Sequence, residues 1–205
     1  LQGKLHIFCS VTAAYSHLPP LLEAFRQQHP LVEIMLTTGD AADAFAQVEQ
    51  QAVDLAIAVK PDQLSRMFFF RPLAQIPLAV IAPTMHCQVQ QLMQQAVIPW
   101  ANVPMILPEH GAARKRFDYW YRRRQQGKPQ IYATVSGHEA LVSMVALGCG
   151  VAIAPKVVVE NSPVKDRVQY LENVGDIEPF ELGICCLNQT REQSLIQAFF
   201  QSIKG

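Results

Sequence analysis

Four hydroxyl residues, Ser10, Thr12, Thr38 and Ser136, stand where apolar runs that read as strands give way to runs that read as helices. A helix start presents free N–H groups and a partial positive charge, so hydroxyl donors beside it suit a small anion. Lys60, after a third such run, offers a full positive charge. His110 and His138 offer ring N–H groups that can donate to a carboxylate or a carbonyl. With the adjoining positions Val11, Gly39, Glu109 and Gly137, these are the candidate ligand contacts. An ordinary structural role competes at several of them. Thr38 and Ser136 also suit the caps of the helices that follow, Lys60 a solvated surface charge, and His110 and His138 plain loop positions.

Other chemistries find less support. The six histidines, His6, His17, His29, His86, His110 and His138, form no i, i+4 pair and show no Cys/His ligand spacing, so neither a metal nor a cofactor is expected. There is no Gly-x-Ser-x-Gly elbow and no pair of carboxylates aimed at one point, so no residue is assigned a catalytic role. Lys+Arg and Asp+Glu each number 17. A domain that grips phosphates usually carries a positive excess, so DNA is not expected to bind this part directly. The basic stretch "ARKRFDYWYRRR" is read as a helix with Phe117, Trp120 and Tyr121 facing the core and its cations on a solvated face, Arg114 alone being placed to lean toward the ligand. The odd count of five cysteines, mostly in apolar contexts, fits free buried thiols in a reducing cytoplasm. No apolar run reaches the ~18 residues of a membrane span, and no signal peptide is visible.

The elements that must position these residues alternate. Lys4 to Cys9 reads as a strand, Ser10 to His17 as a loop, and Leu18 to Gln28 as a helix with Leu18, Leu21, Leu22 and Phe25 on one face, Leu22 and Phe25 pointing to the sheet. Pro30 ends that helix. Strands follow at Val32 to Thr37 and Asp54 to Val59, flanking a helix over Ala41 to Gln50 for which Asp40 is the cap. This is a β-α-β-α-β unit with parallel pairing. A second α/β unit reads as strands at Leu78 to Pro83, Val103 to Leu107, Gln130 to Val135, Val151 to Ala154 and Val168 to Leu171, with helices near Val89 to Gln95 and over Ala112 to Gln126 and His138 to Leu147. Phe180 to Leu187 is strand-like, and Arg191 to Ile203 is a helix striped by Leu195, Ile196, Phe199, Phe200 and Ile203. That helix needs a sheet to cover, so the chain is expected to return to its first lobe. The expected division is 1–76 with 177–205 as lobe one and 77–176 as lobe two.

Three blocks in order carry a family resemblance. "LQGKLHIFCSVTAAYSHLPPLLEAFRQQHPLVEIML", "VEQQAVDLAIAV" and "GHEALVSMVALGCGVAIAP" resemble the effector-binding domain of LysR-type transcriptional regulators, with Ala52 where that family more often has glycine. The resemblance spans essentially the whole chain. It implies an α/β, two-lobed fold of the type II periplasmic-binding-protein kind, each lobe a mixed sheet flanked by helices, with a small-molecule anionic effector held between lobes. Ser10 is the effector contact that carries over most directly. It further implies a homodimer of this domain, a tetramer of the full-length regulator, DNA contacts only through an N-terminal winged helix-turn-helix domain that this chain lacks, and no membrane partner. The wording "HIFCSVTAAYSHLPP", "LTTGDAADA", "IYATVSGHEA" and "PFELGIC" is similar to the members that activate the acetohydroxy acid isomeroreductase gene. That closer likeness implies 2-acetolactate or 2-aceto-2-hydroxybutyrate as effector and a role in branched-chain amino acid biosynthesis. The alternative reading with the same fold is the solute-binding protein of a transporter.

Overall fold

The computed structural model describes residues 1–204. In chain order the elements are β1 (Gly3–Ser10), α1 (Val11–Ser16), α2 (Leu18–Gln28), β2 (Val32–Gly39), α3 (Ala44–Glu49), β3 (Leu55–Val59), β4 (Phe68–Ile76), β5 (Leu78–Pro83), α4 (Gln88–Met93), β6 (Pro104–Pro108), α5 (Gly111–Arg122), β7 (Gln130–Val135), α6 (His138–Ala146), β8 (Ala152–Pro155), α7 (Lys156–Glu160), β9 (Val168–Tyr170), β10 (Phe180–Leu187) and α8 (Ser194–Ser202). They fall into two compact units, Leu1–Gln75 with the chain from Glu181 onward, and Ile76–Phe180.

The first unit is a five-stranded sheet in the order β2-β1-β3-β10-β4. β1 pairs in parallel with both β2 and β3, and β10 runs antiparallel to β3. Alternation along β1 sends Phe8 to one face, where it packs with Ala44, Val48, Val53, Ala56 and Ala58 under α3. On α2, Leu18, Leu21 and Phe25 are buried, and the Phe25 ring meets Phe199 of α8 at 5.3 Å. Leu21 thus takes the inward position expected of Leu22, which is half-buried. The π-faces and methyls of this stripe hold α2 more than its intrinsic propensity does, since two prolines open it.

The second unit repeats the plan. β6 and β7 pair in parallel, β5 lies antiparallel between β8 and β9, and a parallel bridge from Met105 to Val151 joins the two sets. Across the unit the order is therefore β9-β5-β8-β6-β7. Its core gathers Ile81, Ile106, Leu141, Val142, Val145 and Val158 around α6. The glycines of "ALGCGVA" have separate reasons. Gly148, at φ 83°, closes α6 with its N–H on Val145 O and that of Cys149 on Met144 O, a Schellman turn. Gly150 is needed for close approach: a Cβ there would lie 2.5 Å from Pro104 O, the carbonyl that accepts from Val151 N.

Several expectations need correction. The loop read at Ser10 to His17 holds α1, a helix too short for a periodicity to reveal. The helix read over Ala41 to Gln50 is a 3-10 turn, Ala41–Asp43, followed by α3. β4 was missed because Pro72 argues against a strand; it is tolerated because β4 is an edge. α7 was missed because a Val-Val-Val run favours strands; burial of Val158 and Val159 overrides that preference. α5 ends at Arg122, not Gln126, and the Gln126 side chain is spent on Ala101 N and Ile98 O. The last helix begins at Ser194 rather than Arg191, behind a 3-10 turn at Asn188–Thr190.

Candidate functional site

In the first unit the carboxyl ends of three strands assemble the expected residues. Ser10 ends β1 opposite Gly39 of β2, and Cys9 stands opposite Thr38. Ser10 is 1 % exposed, and its Oγ accepts from Ala13 N at 3.3 Å, making it the N-cap of α1. The capping role weighed for Thr38 belongs to Asp40, the expected cap, whose carboxylate accepts from Ala42 N at 3.1 Å. Thr38 itself is exposed on the edge strand. Thr12 is buried in α1, with its carbonyl accepting from Ser16 Oγ, and Val11 is half-buried. Lys60 follows β3. Its Nζ lies 3.8 Å from a Glu181 carboxylate oxygen and 5.8 Å from the centre of the Phe70 ring. It is neither a free solvated charge nor an uncommitted cation, because Glu181 offsets it.

In the second unit the ends of β6 and β7 do the same. Pro108 pairs with Val135, and Glu109 N donates to Val135 O at 3.0 Å, which brings Glu109 and His110 to the Ser136–His138 turn. His110 is the N-cap residue of α5 and Gly137, at φ 84°, that of α6; neither helix has a side-chain cap. Ser136, exposed in the bend before Gly137, is not the cap it was weighed as. The start of α5 thus has no cap from its own N-cap side chain, in the position that favours negative charge. Glu109 and His110 approach to 3.8 Å, an ion pair when the imidazole is protonated. Arg114 reaches Pro108 O with Nη1 at 3.3 Å, and its Nε lies 3.3 Å from Asp118, so it does lean to the strand end.

The surroundings of His138 were not legible. Its ring lies 6.0 Å from that of Phe180 and tilted to it, and Arg116 stands 5.7 Å from the same ring while donating to Glu178 O and Pro179 O. Further along α5, Trp120 Nε1 donates to Val174 O at 2.8 Å and Arg124 bonds the same carbonyl. Phe117, Trp120 and Tyr121 are buried, but the expectation of a wholly solvated basic face fails. Arg116, Trp120 and Arg124, at i, i+4 and i+8, form one stripe that grips the segment from Val174 to Phe180. That spacing was the available signal. Burial pushes the Cys9 and Cys185 thiols up to about 12 and Cys186 up to about 11, so none is a thiolate nucleophile near neutral pH. All five cysteines are free, with Cys87 and Cys149 only half-buried. Among the described residues no three His, Cys, Asp or Glu side chains gather to hold a metal ion, and no helix is long and apolar enough to cross a membrane.

The chain was compared with known proteins. The LysR substrate binding domain model matches residues 1–205. The HTH-type transcriptional activator IlvY of Salmonella typhimurium is 52% identical over 203 residues, covering 98% of this chain and 69% of that protein. The HTH-type transcriptional regulator IlvY of Escherichia coli K12 is 51% identical, covering 98% and 68%, and the activator IlvY of Haemophilus influenzae is 46% identical, covering 100% and 70%. These relatives are transcription regulators, not enzymes. Among solved structures, the effector binding domain of QuiR in complex with shikimate superimposes with a TM-score of 0.81 at 19% identity, covering 98% of this chain and 95% of that one. The cofactor-binding domain of the Cbl transcriptional regulator gives 0.77 at 17% identity, covering 98% and 87%. Strand order, the two helix starts and these matches converge: the chain belongs to the LysR substrate binding domain family, with the two-lobed, type II periplasmic-binding-protein-like fold of LysR effector-binding domains.

Proposed function

We propose that this domain senses a small organic acid, 2-acetolactate or 2-aceto-2-hydroxybutyrate, in the cytoplasm and so controls transcription of branched-chain amino acid biosynthesis. The observation that carries the anionic class is the start of α5, where the N-cap residue His110 makes no side-chain cap. The contacts are Ser10, Val11, Thr12, Thr38, Gly39 and Lys60 in the first unit and Glu109, His110, Ser136, Gly137 and His138 in the second. A carboxylate accepts from the first N–H groups of α5. The Ser10 hydroxyl, which spends its oxygen on Ala13 N, keeps its proton to donate. The resemblance to IlvY supports the acetohydroxy acids, and no relative reported above is a transporter protein. Titration calorimetry tests the reading: saturable heat with 2-acetolactate at millimolar concentration is expected, whereas binding of amino acids in its place would overturn the specific effector. A ligand that binds only the folded form also raises the melting temperature by mass action.

The same reading includes a homodimer of this domain, a tetramer when the N-terminal parts are present, and DNA contacts through the N-terminal domain alone. β2 is an edge strand with Met35 and Leu36 more than two-fifths exposed, and beside it Pro19, Leu22, Val32 and Ile34 line a shallow groove along α2. Unpaired strand edges and half-exposed apolar residues of this kind favour a partner. Sedimentation should show concentration-dependent dimers that Leu22→Glu or Leu36→Lys dissociates; a monomer at every concentration would remove this part of the proposal.

A further inference from the structure

Two sulfur atoms meet in the second unit, away from the strand-end turns that carry Glu109, His110 and Ser136. The chain leaving β5 runs through Thr84, Met85, His86 and Cys87 into α4, and it meets the glycine that closes α6. A Cβ on Gly148 would lie 3.3 Å from Met85 Sδ and 3.3 Å from Cys87 Sγ. Gly148 therefore leaves a small space that a thioether and a thiol border together, and its φ of 83° disfavours any side chain there. The loop that carries the sulfurs is tied at both ends. Thr84 N donates to Arg167 O at 3.0 Å and Thr84 Oγ1 to Asp166 O at 3.3 Å, while Cys87 O accepts from Gln91 N at 3.0 Å. Two further soft donors nearby in sequence are engaged elsewhere. His86 Nε2 lies 3.4 Å from Gln91 Nε2, and Cys149 packs against the core around α6.

Thioether and thiolate are soft ligands that select Cu(I) over harder ions, whereas a structural Zn(II) centre takes four ligands. A monovalent ion of this kind is satisfied by two sulfurs, so it needs no cluster of three His, Cys, Asp or Glu side chains. Access is open, because Met85 is 47% exposed and Cys87 half-buried. The thiols of Cys9, Cys185 and Cys186, by contrast, are held protonated by burial and do not compete. We propose that Met85 Sδ and Cys87 Sγ form a binding site for a soft monovalent metal ion of the Cu(I) class, seated over Gly148. The thiol proton passes to solvent as the bond from Cys87 Sγ to the metal forms.

The test uses Ag(I), a redox-inert ion of the same charge and softness, added to the reduced chain in chloride-free buffer while the methionine methyl groups are read by NMR. One equivalent should shift the Met85 methyl resonance to saturation and leave the other methionine methyls in place. Cys87→Ser should abolish that shift. Met85→Leu keeps the volume of a partly exposed side chain, so the melting temperature should hold while Ag(I) affinity falls at least about tenfold against a competing chelator. Cys149→Ser should bind as the parent does, and Zn(II) should neither move the Met85 methyl nor displace Ag(I). A Met85 methyl that stays in place, or that shifts equally in Cys87→Ser, would overturn the proposal. So would unchanged affinity in Met85→Leu, loss of binding in Cys149→Ser, or displacement of Ag(I) by Zn(II).

Discussion

The two units share a strand plan but differ in the turns that follow their first parallel strands. In the first unit the turns after β1 and β2 are closed by side chains, Ser10 on Ala13 N and Asp40 on Ala42 N. In the second unit the helices after β6 and β7 start at His110 and Gly137 with no side-chain cap. A closed start stabilises its own helix, while an open one leaves N–H donors for something else. The contrast belongs to these strand-end turns alone, since α2, α3 and α8 of the first unit also start without a side-chain cap. The helix ends show a parallel contrast. α3 and α6 both finish in a Schellman turn, but the left-handed position is Gln51, at φ 57°, in the first unit and Gly148 in the second.

The largest effect is expected from Trp120→Ala, which empties a fully buried site beside Phe117, Trp100 and Tyr121 and removes one of the two donors to Val174 O. Loss of about 3 to 5 kcal/mol is expected in urea denaturation, with the second unit melting ahead of the first. Alkaline pH should do the reverse, because all three buried thiols, Cys9, Cys185 and Cys186, belong to the first unit. Folded, Cys9 and Cys185 titrate at about 12, against an ordinary 9.0 when unfolded. Above pH 9.0 the unfolded chain releases these protons while the folded chain keeps them, so this stability is complete below 9.0 and is lost as pH rises toward 12. Chemical denaturation between pH 7 and pH 11 checks the sign, and Cys9→Ala should flatten the slope.

His110→Asp probes the open starts directly. A carboxylate at that extended N-cap should cap α5 and raise stability by about 1 kcal/mol. It should also repel the effector and weaken binding by about tenfold or more. Calorimetry showing unchanged affinity would mean that α5 does not receive the anion. Ser10→Ala probes the closed starts. Loss of the cap should cost about 1 kcal/mol, and affinity should fall as well if the hydroxyl proton reaches the effector. A drop in melting temperature with intact affinity would make Ser10 a cap and nothing more. The smallest change is Gln51→Gly, which should stabilise the first unit by about 0.5 to 1 kcal/mol by relieving a left-handed residue, read as a small rise in melting temperature.

Much of this was legible where the physical signal is local. Leu78–Pro83, Gln130–Val135 and Phe180–Leu187 are apolar or alternating runs bounded by breakers, and each is a strand over those residues. Helix α2 was readable between its prolines. What stayed hidden depends on tertiary partners. β4 carries Pro72 and is a strand only because it lies at an edge beside β10. The engagement of Arg116 and Arg124 depends on carbonyls some 50 to 60 residues away. The expected contact residues lie at strand ends, where α/β sheets gather such groups, and Asp40 caps the turn after β2 as its position suggests. The cap formed by Ser10 was not read, and Ser136, weighed as a cap, is not one, because a cap pattern alone does not distinguish such neighbours.

One consequence follows from the place of β10. It lies between β3 and β4, yet it is contributed by residues that follow the whole of the second unit along the chain. Until Phe180–Leu187 has been synthesised, β4 has no neighbour and the open side of β3 is bare. The second unit, by contrast, is encoded without interruption from Ile76 to Phe180 and can fold as soon as it emerges. During translation the first unit therefore waits, with an incomplete sheet, for the whole of the second to be made. A stop codon just before Phe180 would erase an interior strand, and the truncated product would present two unpaired β edges to the proteases and chaperones of the cell.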